Sequence, residues 1–163
     1  MYRSGFRRRF ALAVSLLLAL SAPAWAAWKQ GLAAYSAGDF GTALNEWRPL
    51  AERGDVRAEE MLGYMYDLGE GVAENDAAAA KWYLLAASQG SPDAQLNLGI
   101  LYFDGSGVPK DDVAALMWLS LAAATWIPEV REMAVQARDR VASSMTPDQI
   151  SRARELTNAW KPR

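Results

Sequence analysis

The chain has 163 residues, 52% of them hydrophobic, a formal charge of −2, and neither cysteine nor histidine. That length predicts one domain, at roughly 150 residues per domain. The missing residue types exclude disulfides, thiolate or imidazole metal sites, cysteine nucleophiles and a Ser-His-Asp triad, leaving carboxylates, Lys, Tyr and Ser as the catalytic inventory.

The charge is unevenly placed. Arg3, Arg7, Arg8 and Arg9 lie in the first 26 residues, and no acidic residue precedes Asp39. Without that segment, 13 basic residues face 19 acidic ones, a net of −6. Such a balance argues against a nucleic-acid partner, since affinity for phosphates comes largely from Lys and Arg.

Residues 1–26 read as an export signal. Arg7-Arg8-Arg9 is the charged head, Phe10 to Leu20 the apolar stretch, and Ala24-Trp25-Ala26 a small-x-small triplet, so cleavage is expected after Ala26. An uncleaved anchor is the rival, since the uncharged run Phe10–Trp28 has 19 residues. Pro23 and the small residues near its end weigh against it. Arg7-Arg8-Arg9-Phe10 also matches part of a twin-arginine signal, with Phe6 where Ser or Thr is usual. A lipoprotein is excluded, because lipid attachment needs a cysteine.

The next elements come as helical hairpins. Tyr35, Gly38, Ala43, Trp47, Leu50 and Gly54 outline a first unit with a tight turn at Gly38-Asp39. Pro49 inside its second helix predicts a kink near Asn45. Gly54–Gln89 then overlays Gly90–Thr125 without gaps at an offset of 36, with 15 identities in 36. A fixed period of this size marks a solenoid. Within each unit a first helix, Ala58–Leu68, stops at Gly69-Glu70-Gly71, and Asp76 is expected to cap a second, Ala77–Ser88. Ser91-Pro92 opens the following unit with a cap and a first-turn proline.

Spacing assigns the core. Ala58, Leu62, Met65, Tyr66 and Gly69 share about 100° of helix arc, a face that a lone hairpin cannot bury. Trp47, Trp82 and Trp118 are expected to occupy one repeated core position, so recurrence favours packing over a sugar-stacking platform. After Thr125 the period ends. Pro128–Ser144 and a helix opened by the Thr146–Gln149 capping box, running toward Trp160, predict a two-helix terminal cap.

The pattern Ala…Leu-Gly-x-x-Tyr-x-x-Gly-x-Gly-Val…Asp…Ala…Trp…Leu-Ala-Ala…Gly resembles the Sel1-like repeat, an α/α relative of the tetratricopeptide repeat. Two units match it well and the first resembles it with a shortened turn, covering roughly residues 28–125. Residues 145–150 resemble the tail of small secreted bacterial members. The resemblance implies an all-α, short right-handed α/α solenoid of three hairpins with a two-helix C-terminal cap. It also implies an adaptor or regulatory scaffold without a cofactor. The expected domains are a signal peptide (1–26), a repeat array (27–126) and capping helices (127–163).

Positions that change between units mark candidate surface. Opposite the shared core face the first helices carry Lys29 and Ser36, then Glu60 and Asp67, then Leu96 and Phe103. With Gln30, Tyr64, Asn97 and Ile100 they form an expected partner-binding stripe for a protein or peptide, periplasmic or secreted. The competing reading packs Leu96 and Phe103 under the C-terminal helices and leaves the polar residues facing water.

Other motifs carry less. Gly69-Glu70-Gly71 and Gly105-Ser106-Gly107 follow no predicted strand and lack a Lys-Ser/Thr pair, so they read as turns and not phosphate loops. The acidic loops lack calcium-ligand spacing. Glu59-Glu60 and Asp111-Asp112 are sequence neighbours, pointing different ways on a helix, which disfavours a carboxylate-based hydrolase. Binding of a cell-wall polymer is the structural alternative, for which Trp28, Trp126 and Trp160 lie off the repeat.

Overall fold

The computed structural model describes residues 23–163, and among them every regular element is a helix. Residues 23–36 form α1. It is followed by α2 (Phe40–Ala51), α3 (Val56–Leu68), α4 (Asp76–Ser88), α5 (Pro92–Asp104), α6 (Asp112–Ala123), α7 (Pro128–Ala142) and α8 (Pro147–Ala159). The charged head and the apolar stretch of the export signal lie outside the described residues. The expected cleavage point after Ala26 falls inside α1. Among the described residues no helix is long and apolar enough to cross a membrane.

Local chemistry sets the helix ends. Side-chain oxygens of Asp39, Asp55, Asn75, Ser91, Asp111 and Thr146 each accept from the backbone amides of a first turn. This satisfies donors that the helix itself leaves open. The α4 cap is Asn75 and not Asp76; Asp76 is the first helical residue, where its charge favours the positive end of the helix dipole. Thr146 and Gln149 form the expected reciprocal capping box. Pro49 lies in the last turn of α2, which stays helical through Ala51.

Within each hairpin a glycine of the first helix receives a large side chain of the second. A Cβ on Gly31 would stand 2.3 Å from Trp47 Nε1, one on Gly63 2.5 Å from Tyr83 Cδ1, and one on Gly99 2.7 Å from Leu119 Cγ. Trp47, Tyr83 and Leu119 recur at intervals of 36 and are fully buried. The equivalence expected of Trp47, Trp82 and Trp118 is therefore corrected. Trp82 and Trp118 each lean on the cluster shared with the preceding hairpin, whereas Trp47 fills the socket of its own. The indole is conspicuous in the sequence, but the helix needs only something bulky over a missing Cβ.

Hairpins are joined by three apolar clusters. The first spans α2 and α3, with Leu44, Leu50, Leu62 and Met65; the second spans α4, α5 and α6, with Tyr83, Leu98, Leu101 and Trp118. The third joins α6 to the last two helices through Leu119, Val130, Val141 and Ala153. Each leucine-sized side chain removed from water stabilises the stack by about 1.5–3 kcal/mol. Loop backbone also meets helix backbone between neighbours. Gly107, at φ +68, stands where a Cβ would come within 2.2 Å of the Asp76 carbonyl carbon, and Gly71 abuts Phe40 in the same way one period earlier. Only glycine allows both that dihedral and that approach.

The two final helices close the array. Helix α7 packs on α6 and α5, and α8 packs on α6. Beyond α8, Trp160 meets Trp118 edge to face at 6.4 Å, and the Arg163 amide donates to the Ser88 carbonyl at 2.9 Å.

Candidate functional site

The first helices of the hairpins, α1, α3 and α5, continue onto α7 and line a groove of about 520 Å³. Tyr35 comes from α1; Glu60, Met61 and Tyr64 from α3; Asp93, Leu96, Asn97 and Ile100 from α5; and Met133 from α7. Tyr83 reaches the groove from α4, its ring crossing the space left by Gly63. Consecutive side chains a helical turn apart line one face, so each helix adds a rung. Tyr64, Ile100 and Met133 form an exposed rim.

The groove is polar at its centre. Glu60 Oε2 accepts from the Ser91 hydroxyl at 2.6 Å, and that hydroxyl also caps α5 by accepting from the Ala94 amide at 3.2 Å. Burial pushes the Glu60 carboxyl above the ordinary range; the Ser91 bond pulls it back and the Asp93 charge pushes it up further. Asp93 is likewise raised by burial. Behind the groove, the Tyr83 hydroxyl donates to Asp67 Oδ2 at 3.3 Å. Burial raises Asp67 too, and raises the Tyr83 phenol strongly, with Asp67 adding to the effect. At the α1 end the Tyr35 hydroxyl donates to Glu70 Oε2 at 2.5 Å. Among the described residues no group of His, Cys, Asp or Glu side chains is arranged to hold a metal ion.

The expected stripe divides on inspection. Glu60, Tyr64, Leu96, Asn97 and Ile100 all line the groove, although Leu96 is only 5% exposed and belongs to the cluster under α7. Asp67 stands behind it as the acceptor for Tyr83. Phe103 is drawn away toward the cap, half-buried, with the Lys110 ammonium 4.4 Å and the Arg140 guanidinium 5.5 Å from its ring centroid. Lys29 and Gln30 are exposed on α1 outside the groove lining, Lys29 lying 6.0 Å over the Trp25 ring. Tyr35, Met61, Tyr83, Asp93 and Met133 were not part of the stripe. Of these, Met61 and Asp93 also differ between units (against Asn97 and Arg57), a signal that could have found them.

The off-repeat tryptophans do not form a row. Trp28 stacks on Trp47 at 5.3 Å beneath the Arg57 guanidinium, and Trp160 packs on Trp118. Trp126, 85% exposed, sits between α6 and α7, far along the chain from the exposed Trp25 of α1.

Comparison with known proteins identifies the repeat carried by α3 to α6. The Sel1 repeat model matches residues 56–91 and 92–124. A curated relative, the exopolysaccharide production negative regulator of Rhizobium meliloti (strain 1021), is 41% identical over 66 residues, which cover 40% of this chain and 25% of that protein. Among solved structures, c5321, a protective antigen of uropathogenic Escherichia coli strains displaying an SLR fold, superposes with a TM-score of 0.77 at 27% identity, covering 84% of this chain and 29% of that one. A Sel1 repeat protein from Oxalobacter formigenes superposes with a TM-score of 0.58 at 29% identity, covering 73% and 56%. The chain thus spans about a quarter of the curated relative and little more of the E. coli antigen. The same 36-residue period that seats Tyr83 over Gly63 and Leu119 over Gly99 is the matched unit, and residues 56–124 carry two Sel1 repeats.

Proposed function

We propose that this protein is a non-catalytic interaction scaffold that holds or regulates an exported or envelope protein through its concave groove. The observation that carries this reading is the groove itself, built from helices α1, α3, α5 and α7 in succession and lined by apolar, aromatic and acidic groups. Repeat arrays present extended surfaces of this kind because the fold fixes one helix face and leaves the other open to change. The matched Rhizobium protein is described as a negative regulator, which agrees with a regulatory adaptor. The scattered positions of Trp25 and Trp126 favour a protein partner over a cell-wall polymer. Export rests on the sequence of residues 1–26, with the array at 27–126 and the cap at 127–163 as the mature body.

Photo-cross-linkable residues placed at Tyr64 and Asn97, and at Glu52 and Glu155 as controls outside the groove, test the reading in the native compartment. Discrete adducts from the groove positions alone are expected. Equal labelling from all four positions, or none from the groove, overturns it. Amino-terminal sequencing of the recovered protein is expected to begin at Ala27.

A further inference from the structure

The groove has an electrostatic imbalance that narrows its occupant. Glu60 and Asp93 both line it, and the lining contains neither Lys nor Arg. The ion pairs among the described residues are Arg57–Asp55, Lys110–Asp112, Arg138–Asp139 and Arg152–Glu155, and none involves either carboxylate. Two partly buried negative charges thus face each other's field without a cation, and a hydroxyl from Ser91 is the polar partner of Glu60. Desolvated charges of one sign are destabilised until an opposite charge enters beside them.

We propose, building on the scaffold reading above, that the groove seats a partner segment carrying a lysine or arginine flanked by apolar side chains, with the cation placed at Glu60 and Asp93. The surrounding chemistry fits each part of such a segment. The exposed Tyr64 ring offers its negative face to an ammonium or guanidinium. Met61, Ile100 and the 52% exposed Met133 give an apolar, adaptable wall for the aliphatic stem and its neighbours. An acidic segment would meet like charge, and a wholly apolar one would bury both carboxylates without compensation.

Selection of short random peptides displayed on phage against the full chain tests this. Enrichment of peptides with Lys or Arg between apolar residues is expected. A synthetic copy of an enriched peptide should bind Glu60→Gln/Asp93→Asn about tenfold more weakly, with the circular dichroism spectrum and urea midpoint confirming that the variant folds. Its binding should also fall for Tyr64→Ala/Ile100→Ala. Uncharged or acidic peptides that bind and are lost in Tyr64→Ala/Ile100→Ala overturn the basic-segment proposal and leave the groove as a docking site. Enriched peptides indifferent to both variants, or no enrichment at all, overturn the groove reading and this proposal together.

Discussion

The first hairpin and the two Sel1 repeats solve one packing problem with different side chains. Gly31 receives an indole, Gly63 a phenol ring and Gly99 an isobutyl group, yet all three knobs are fully buried at a constant spacing. The part that persists is the absent Cβ; the group that fills the space is free to change. The opposite behaviour holds on the groove side of the same helices, where the residue changes from unit to unit: Glu60 stands against Leu96, Met61 against Asn97 and Tyr64 against Ile100. One helix therefore carries a side fixed by geometry and a side whose residues the repeat leaves free to change.

The most severe way to break this comparison is to empty a socket. Trp47→Ala should cost about 3–5 kcal/mol in urea denaturation, and Leu119→Ala about 2–5 kcal/mol. A loss below about 1 kcal/mol at Trp47 would mean that the first hairpin does not share the socket design. Filling the socket from the other side is milder: Gly63→Ala should destabilise by about 1–3 kcal/mol, because the backbone or the Tyr83 ring must yield. Combined with Tyr83→Leu, the loss should be less than the sum of the two single changes, while strict additivity would show that the glycine and the ring are not in contact.

Proton uptake sharpens the contrast between the two sides. Glu59, Glu60, Asp67 and Asp93 are all held above their ordinary values by burial. Glu59 is only 3% exposed, and its Oε2 accepts from Gln89 Nε2 at 2.7 Å. Raised carboxyls favour the folded state fully below the unfolded values of 4.5 for Glu and 3.8 for Asp, and that contribution is lost as pH rises through the folded values. Asp39 and Asp55, lowered chiefly by their bonds to Thr42 and Arg57, act oppositely, losing their contribution as pH falls below 3.8 through their depressed values. The urea midpoint should therefore fall as pH rises above the ordinary carboxyl values, and Glu59→Gln should flatten that slope. A midpoint rising over the same interval would contradict the burial assigned to these groups. The smallest test concerns the α4 cap: Asn75→Ala should cost about 1 kcal/mol and Asp76→Ala a few tenths, and a reversed order would restore Asp76 as the cap.

Much of the fold was legible because helix punctuation is local. Ser91-Pro92, Thr146 and the glycines at 69 and 105 end or begin helices through their own backbone and side-chain chemistry, which needs no knowledge of neighbours. The socket pairing was less legible. Trp82 and Trp118 are identical residues in register and draw the alignment, whereas Tyr83 and Leu119 differ although they do the same job. In the groove, variation between units reached Glu60, Tyr64, Asn97 and Ile100. It could not reach Met133, which enters from a helix outside the period, or Tyr83, whose ring arrives across Gly63 from the neighbouring helix. Leu96 and Phe103 vary for a different reason: they meet the last helices, a boundary that earlier units do not have.

The contact of Gly107 with Asp76, and of Gly71 with Phe40, has a consequence for how such a chain diversifies. Main chain rests on main chain there, so the tilt from one coil pair to the next is keyed by atoms that every residue possesses. Mutation can rewrite the chemistry of the inner wall repeatedly while the arc on which it is mounted keeps its radius, provided those two glycines stay.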